Sequence, residues 1–153
     1  MIQIELSHEF QSAHRLNTPD APAKCKSIHG HSWWVTVTIE GERLDENGML
    51  VEFGAFKTAL RTWIEQEVCH RLILKHDDPI IAALRAVDPH VRFVELDYPP
   101  TTEVIAKWIF EHCERLLHQE LGVAPSHARI ARVHIKETCL NAASYSRPTS
   151  RAD

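Results

Sequence analysis

The stretch that decides the fold is His29-Gly30-His31-Ser32-Trp33-Trp34-Val35-Thr36-Val37-Thr38-Ile39-Glu40-Gly41. Trp33, Val35, Val37 and Ile39 fall on one side of an alternating pattern, and Thr36, Thr38 and Glu40 fall on the other. A period of two describes a strand with one buried face. His29 and His31 belong to the same side as Trp33, so both imidazoles point inward and can reach one ion. Gly30 between them leaves room for a close approach.

Working upstream, Ile2, Ile4, Leu6, His8, Phe10 and Ser12 also alternate, which predicts a first strand. His14 continues this inward face in an unbulged strand. Residues 17–27 carry two prolines, an Asn and an Asp, and read as a loop. Downstream, Asp45-Glu46-Asn47-Gly48 is a turn, followed by the short apolar run Met49-Leu50-Val51.

The period then changes. Phe53, Phe56, Leu60, Trp63, Ile64 and Val68 fit one face of a helix running from Gly54 to about Val68. Residues 74–100 contain Asp-Pro twice and a Pro-Pro pair, and read as irregular. Thr101 or Thr102 caps a second helix, with Glu103 in its first turn. Ile105, Trp108, Ile109, Cys113, Leu116 and Leu117 form its buried stripe, and Gly122 stops it. A strand from Ile130 to about Glu137 sends Ala131, Val133 and Ile135 to the core, and residues 142–147 form a short fourth strand. The expected architecture is α+β, a four-stranded antiparallel sheet with two helices on one face. It makes one domain over residues 1–147, with a C-terminal tail over 148–153.

Composition narrows the function classes. The 153 residues are 44% apolar, enough for one core. A net charge of -4 without blocks of like charge argues against nucleic acid as a partner. No apolar run reaches the length of a membrane span. The N-terminal residues lack the basic and apolar regions of a signal peptide, so the expected location is cytoplasmic. The four cysteines, at positions 25, 69, 113 and 139, form no CxxC pair and are expected as free thiols.

Eleven histidines raise the prior for a metal site. Three inward histidines from two strands, His14, His29 and His31, suit a tetrahedral zinc ion with one open position. Three neutral nitrogens leave the ion its full double charge, which suits Lewis-acid work. A second scheme adds Cys25 as a fourth ligand, which would close the site and make the zinc structural. Spacing is compatible with both.

The segments Phe10-Gln11-Ser12-Ala13-His14-Arg15, Cys25-x3-His29-Gly30-His31-Ser32, Gly48-Met49-Leu50-Val51-Glu52-Phe53, Pro100-Thr101-Thr102-Glu103 and Lys136-Glu137-Thr138 together resemble the 6-pyruvoyl-tetrahydropterin synthase and 6-carboxytetrahydropterin synthase family. Lys136-Glu137-Thr138-Cys139 with Tyr145 is most similar to the bacterial branch that makes the queuosine precursor. The resemblance implies a tunnelling fold (T-fold) and a homo-oligomer, trimer or hexamer, with sites at subunit interfaces. It implies zinc on His14, His29 and His31 and a small-molecule pterin substrate, 7,8-dihydroneopterin triphosphate. The product in the queuosine branch is 6-carboxy-5,6,7,8-tetrahydropterin, with acetaldehyde and triphosphate released.

By the same resemblance Cys25 is the general base, His70 assists proton transfer, Glu137 anchors the pterin, and Thr102 and Glu103 belong to a further pterin-contacting motif. Glu137 has an independent argument: it lies in register with core residues, and a carboxylate on an apolar face needs a partner. The guanidine-like edge of a pterin offers two donors to it. The chain departs from the family at Cys69-His70, where Asp-His is usual. A thiol orients an imidazole poorly, so His70 is either oriented by another group, with Asp77 and Asp78 as candidates, or its proton relay is impaired. Glu52 stands where Asp is more usual. The triphosphate needs basic groups. Arg15, Lys24 and Lys26 flank the site in sequence, although each also reads as ordinary solvated loop charge.

Overall fold

The computed structural model describes residues 1–147; the expected tail, 148–153, lies outside them. The elements in order are β1 (Ile2–His14), α1 (Ala23–Lys26), β2 (His29–Gly41), α2 (Phe53–Glu67), β3 (Leu72–Lys75), α3 (Ile80–Val87), β4 (Phe93–Leu96), α4 (Thr102–Arg115), β5 (Ala128–Lys136) and β6 (Ala142–Ser146). They form one six-stranded sheet in the order β4-β3-β1-β2-β5-β6.

β1 and β2 pair antiparallel along their whole length, from Ile2 opposite Gly41 to His14 opposite His29. The alternation seen in the sequence becomes burial: Leu6, Phe10, Trp33, Val35, Val37 and Ile39 are all buried. Against this face lie Phe56, Leu60 and Ile64 of α2 and Ile105, Ile109 and Cys113 of α4. Burying one such large apolar side chain contributes roughly 1.5–3 kcal/mol relative to leaving it exposed.

Three expectations need correction. The sheet has six strands and is mixed, because β3 runs parallel to both β1 and β4. The segment read as irregular holds β3's last residues, α3 and β4. Strands of four residues are too short to establish a period, and Asp-Pro and Pro-Pro mark the turns between them. The helices also do not all share one face. Ile73 joins the main core, whereas Leu72 and Leu74 join Ala13, Ile81 and Leu84 in a second cluster, so α3 covers the opposite side of the sheet.

The third correction concerns β5. Its pairing with β2 shifts between Thr38 and Ile39, leaving Ala131 as the extra residue of a bulge. Ile130, rather than Ala131, is fully buried, while Val133 and Ile135 keep the inward direction expected of them.

The helix ends follow local chemistry. Glu52 caps α2, accepting hydrogen bonds from the amides of Gly54 and Ala55. Thr101 caps α4, accepting from Val104; such a cap is worth about 1 kcal/mol. α4 runs on into a π-helical turn over Leu116–Glu120. The chain then turns at Gly122, whose φ of 68° is accessible at low cost only without a Cβ. No helix among the described residues is long and apolar enough to cross a membrane.

Candidate metal centre and adjoining cavity

The site grows from the β1–β2 ladder. His14 faces His29 directly, and Ser12 faces His31. Cross-strand neighbours and their diagonals come within side-chain reach, so register alone brings the three imidazoles together. Their ligand-capable nitrogens lie within 4.8 Å of one another. The ring centroids are 4.5 Å apart for His14 and His29, 5.1 Å for His14 and His31, and 5.0 Å for His29 and His31. Trp33, fully buried, sets its ring edgewise against both His14 and His31 and closes the inner side of the cluster. The Trp33 indole N–H donates to the Ser12 carbonyl at 3.1 Å, which holds the ring in place.

Backbone carbonyls orient two of the imidazoles. His14 Nδ1–H donates to Pro100 at 2.8 Å, and His29 Nδ1–H donates to Ser27 at 2.8 Å. A carbonyl only accepts, so the proton sits on Nδ1 and the lone pair is left on Nε2. Nε2 of His14 and Nε2 of His31 are buried without a hydrogen-bond partner. Burial lowers the pKa of His14; the Pro100 hydrogen bond opposes this, and His29 and His31 reinforce it. Burial likewise lowers the pKa of His31, against the opposing charge of Glu137. Both rings are thereby kept neutral, the form that binds a metal. An orphaned, buried, neutral nitrogen on each of two adjoining rings fits a cation.

Glu137 turns inward at the end of β5. Its Oε1 lies 3.6 Å from Nε2 of both His14 and His31. The carboxylate on an apolar face thus stands beside the two histidines, beyond hydrogen-bond distance of either nitrogen. Cys25 sits in the one-turn α1, half-buried, with its carbonyl accepting from the Leu16 amide. Among the described residues the clustered group is the three histidines without Cys25, so the closed four-ligand scheme is not assembled.

His70 is exposed at the turn after α2, and its amide donates to Gln11 at 2.7 Å. Its φ of 55° is the only positive value for a non-glycine among the described residues, a strained geometry that tends to occur at functional sites. His70 and His31 line one cavity of about 640 Å³, together with Arg71, His90 and Arg92. Thr102 opens α4, and Glu103 in its first turn is exposed. The Pro100 carbonyl that holds His14 immediately precedes this helix start.

Several auxiliary expectations change. Neither aspartate is free to orient His70: Asp78 binds Arg15, and Asp77 pairs with Lys75 at 2.5 Å. Arg15 is therefore committed to Asp78, and Lys26 donates to the Pro19 carbonyl. The arginines that line the cavity are Arg71 and Arg92. Arg71 adjoins the His70 motif and could have been weighed there. Arg92 lies in the segment read as irregular, and no sequence pattern marked it; Pro100 opens the Pro100-Thr101-Thr102-Glu103 segment, but nothing in the sequence aimed its carbonyl at His14.

Three strand-borne histidines with converging nitrogens, beside a carboxylate and a cavity in an α+β fold, define a candidate metal-dependent enzyme of the tunnelling-fold class. A profile of the family described as 6-pyruvoyl tetrahydropterin synthase matches residues 3–148, and the chain belongs to that family. The 6-carboxy-5,6,7,8-tetrahydropterin synthase of Aquifex aeolicus is 27% identical over 159 residues, covering 94% of this chain and 96% of that one. The protein of the same name from Synechocystis is 31% identical over 143 residues, covering 91% and 88%. With relatives so named, the chain is a lyase of this family. Among solved structures, an uncharacterized protein from Wolinella succinogenes superimposes with a TM-score of 0.78 at 22% identity, covering 96% of this chain and 98% of that one. The 6-pyruvoyl tetrahydropterin synthase of Caenorhabditis elegans gives 0.66 at 22% identity, covering 96% of each. These two likenesses establish the fold.

Proposed function

We propose that this protein is a zinc-dependent lyase that converts 7,8-dihydroneopterin triphosphate and water to 6-carboxy-5,6,7,8-tetrahydropterin, acetaldehyde and triphosphate, in the cytoplasmic synthesis of the queuosine precursor. The observation that carries this reading is the convergence of His14, His29 and His31 with buried, unpartnered Nε2 atoms on His14 and His31. Zinc held there supplies a Lewis acid for the substrate's side-chain hydroxyls.

The protein's own groups do the rest. Cys25 as thiolate takes the proton from the carbon beside a hydroxyl-bearing carbon. His70, on the wall of the cavity that also holds His31, exchanges protons with the substrate side chain. Glu137 anchors the pterin ring, and Thr102 and Glu103 extend that contact from the start of α4. The working assembly is a homo-oligomer, trimer or hexamer, with sites at its subunit interfaces.

Zinc-loaded protein incubated with 7,8-dihydroneopterin triphosphate yields 6-carboxytetrahydropterin on this reading. A pyruvoyl product would instead make the enzyme a 6-pyruvoyl-tetrahydropterin synthase. Bound but unconverted pterin would support a second reading, a zinc-containing pterin-binding protein without catalysis. The observation that favours this second reading is Cys69, together with the engagement of Asp77 and Asp78 elsewhere.

A further inference from the structure

Ser12 is buried between Phe10 and His14 on the inner face of β1, and it faces His31 across the ladder. A hydroxyl in a core needs a hydrogen bond to offset its desolvation. Ser12 donates to the Val68 carbonyl at 2.6 Å, across 56 residues of sequence. The Gln11 carbonyl lies 2.8 Å from the same hydroxyl, but it already accepts from the His70 amide at 2.7 Å. A hydroxyl carries one proton, and the Val68 carbonyl has the greater need of it. Val68 ends α2, where carbonyls run out of intrahelical donors. The other donor to it among the described residues, the Arg71 amide, is at 3.3 Å.

Three hydrogen bonds thus stitch the turn after α2 onto β1. They run from the Ser12 hydroxyl to Val68, from the His70 amide to Gln11, and from the Ala13 amide to Arg71 at 3.1 Å. Inside that turn His70 has a φ of 55°. A non-glycine residue keeps such a conformation only where its surroundings impose it. Of the three bonds, only the first is made by a side chain. The same residue also reaches the metal site: its carbonyl accepts from the Trp33 indole, whose ring packs edgewise against His14 and His31.

We infer that Ser12 is a positioning residue for the reaction, its hydroxyl fixing the His70 turn in register with the strand that carries His14. This inference rests on His70 being the proton-transfer group of the proposed reaction. Ser12 acts through the Val68 carbonyl rather than on the substrate. Without the hydroxyl, backbone bonds alone hold the turn, and the His70 ring leaves its productive placement for part of the time. A misplacement of about 1 Å can cost on the order of 100-fold in rate.

The test compares zinc-loaded S12A with the wild type. S12A should lose about tenfold in kcat on 7,8-dihydroneopterin triphosphate, with KM and zinc affinity held within about twofold. Independently of turnover, the amides of Cys69, His70 and Arg71 should exchange hydrogen at least about tenfold faster, while those of Trp33 to Val37 keep their wild-type rates. I39V controls for a general loss of stability, because Ile39 faces Ile4 at the other end of the ladder from His14 and His29. It should keep the wild-type kcat. Should S12A not fold, S12C carries the same expectations, since it nearly keeps the volume and weakens the donor. Unchanged exchange at 69–71, or faster exchange with wild-type kcat, would overturn this inference while leaving the lyase reading intact. A higher KM or weaker zinc binding at unchanged kcat would also overturn it. A wild type without turnover would overturn the lyase reading, and the positioning role with it.

Discussion

The Arg15 guanidinium grips Asp78 with two hydrogen bonds, Nε to Oδ2 at 2.9 Å and NH2 to Oδ1 at 2.5 Å. Asp78 is buried and also accepts from the Ile80 amide, so one carboxylate ties the residue after His14 to the start of α3. Burial raises the Asp78 pKa, but the Arg15 and Ile80 hydrogen bonds outweigh it and hold the carboxyl below its ordinary value. A depressed carboxylate stabilises the fold above its unfolded pKa of 3.8, and this contribution is lost as pH falls below that value. Asp78→Asn should cost about 3 kcal/mol at neutral pH, since it removes the buried carboxylate that pairs with a half-buried guanidinium. Urea unfolding at pH 7 and at pH 3 should show the gap between variant and wild type closing in acid.

His112 gives the fold a separate acid sensitivity. Its ring stacks on Trp63 at 3.7 Å, and Nε2 is buried without a partner. Burial, aided by Arg115, pushes its pKa from 6.5 down to about 4. A histidine with a depressed folded pKa stabilises the native state fully only above 6.5, and the contribution drains away between pH 6.5 and about 4. His112→Phe should flatten the dependence of Tm on pH in that window. Equal slopes for both proteins in thermal melts would contradict this.

The lowered pKa values of His14 and His31 predict that protons compete weakly for the metal near neutrality. Zinc affinity should therefore hold as pH falls to the ordinary histidine value and weaken below it. His14→Ala should abolish stoichiometric zinc binding. Removing zinc from the wild type should lower Tm, by an amount that grows with the free metal concentration used in the reference sample. Metal analysis after dialysis and scanning calorimetry check both points.

Cys69 is half-buried beside His70, and its amide donates to the Ile64 carbonyl at 2.7 Å. If His70 moves a proton, a carboxylate at position 69 would orient and strengthen it. Cys69→Asp should raise turnover of 7,8-dihydroneopterin triphosphate roughly tenfold or more, the scale of such supporting interactions. The gain should appear in kcat, with KM little changed. An unchanged kcat would mean that another group orients His70.

Part of the molecule was legible as sequence because its information is local. The long strands β1 and β2 have a side-chain period of two, and thirteen residues each are enough to read it. The period assigns His14, His29 and His31 to the inner face without knowledge of any neighbour. The stripes of α2 and α4 and the stop at Gly122 were legible for the same reason, except that Phe53, expected on the α2 stripe, is exposed at the first residue of the helix. Ala131 was misassigned because a bulge is set by pairing with β2, which the β5 sequence does not display. β3 and β4 were missed because their four residues acquire strand geometry only by pairing in parallel, β3 with β1 and β4 with β3.

The sequence by itself therefore determined the face on which the three histidines lie and the family to which their motifs are similar. Only the tertiary structure decided what surrounds them. Pairing of His14 with His29 set the separation of the rings. The loop before α4 brought the Pro100 carbonyl to His14 from 86 residues away. The end of β5 brought the Glu137 carboxylate against two open nitrogens. Asp78 was withdrawn from His70 by its bond to Arg15. Periodicity is a property of one segment, whereas each of these contacts needs two segments to meet, and that meeting is set by sheet order and packing.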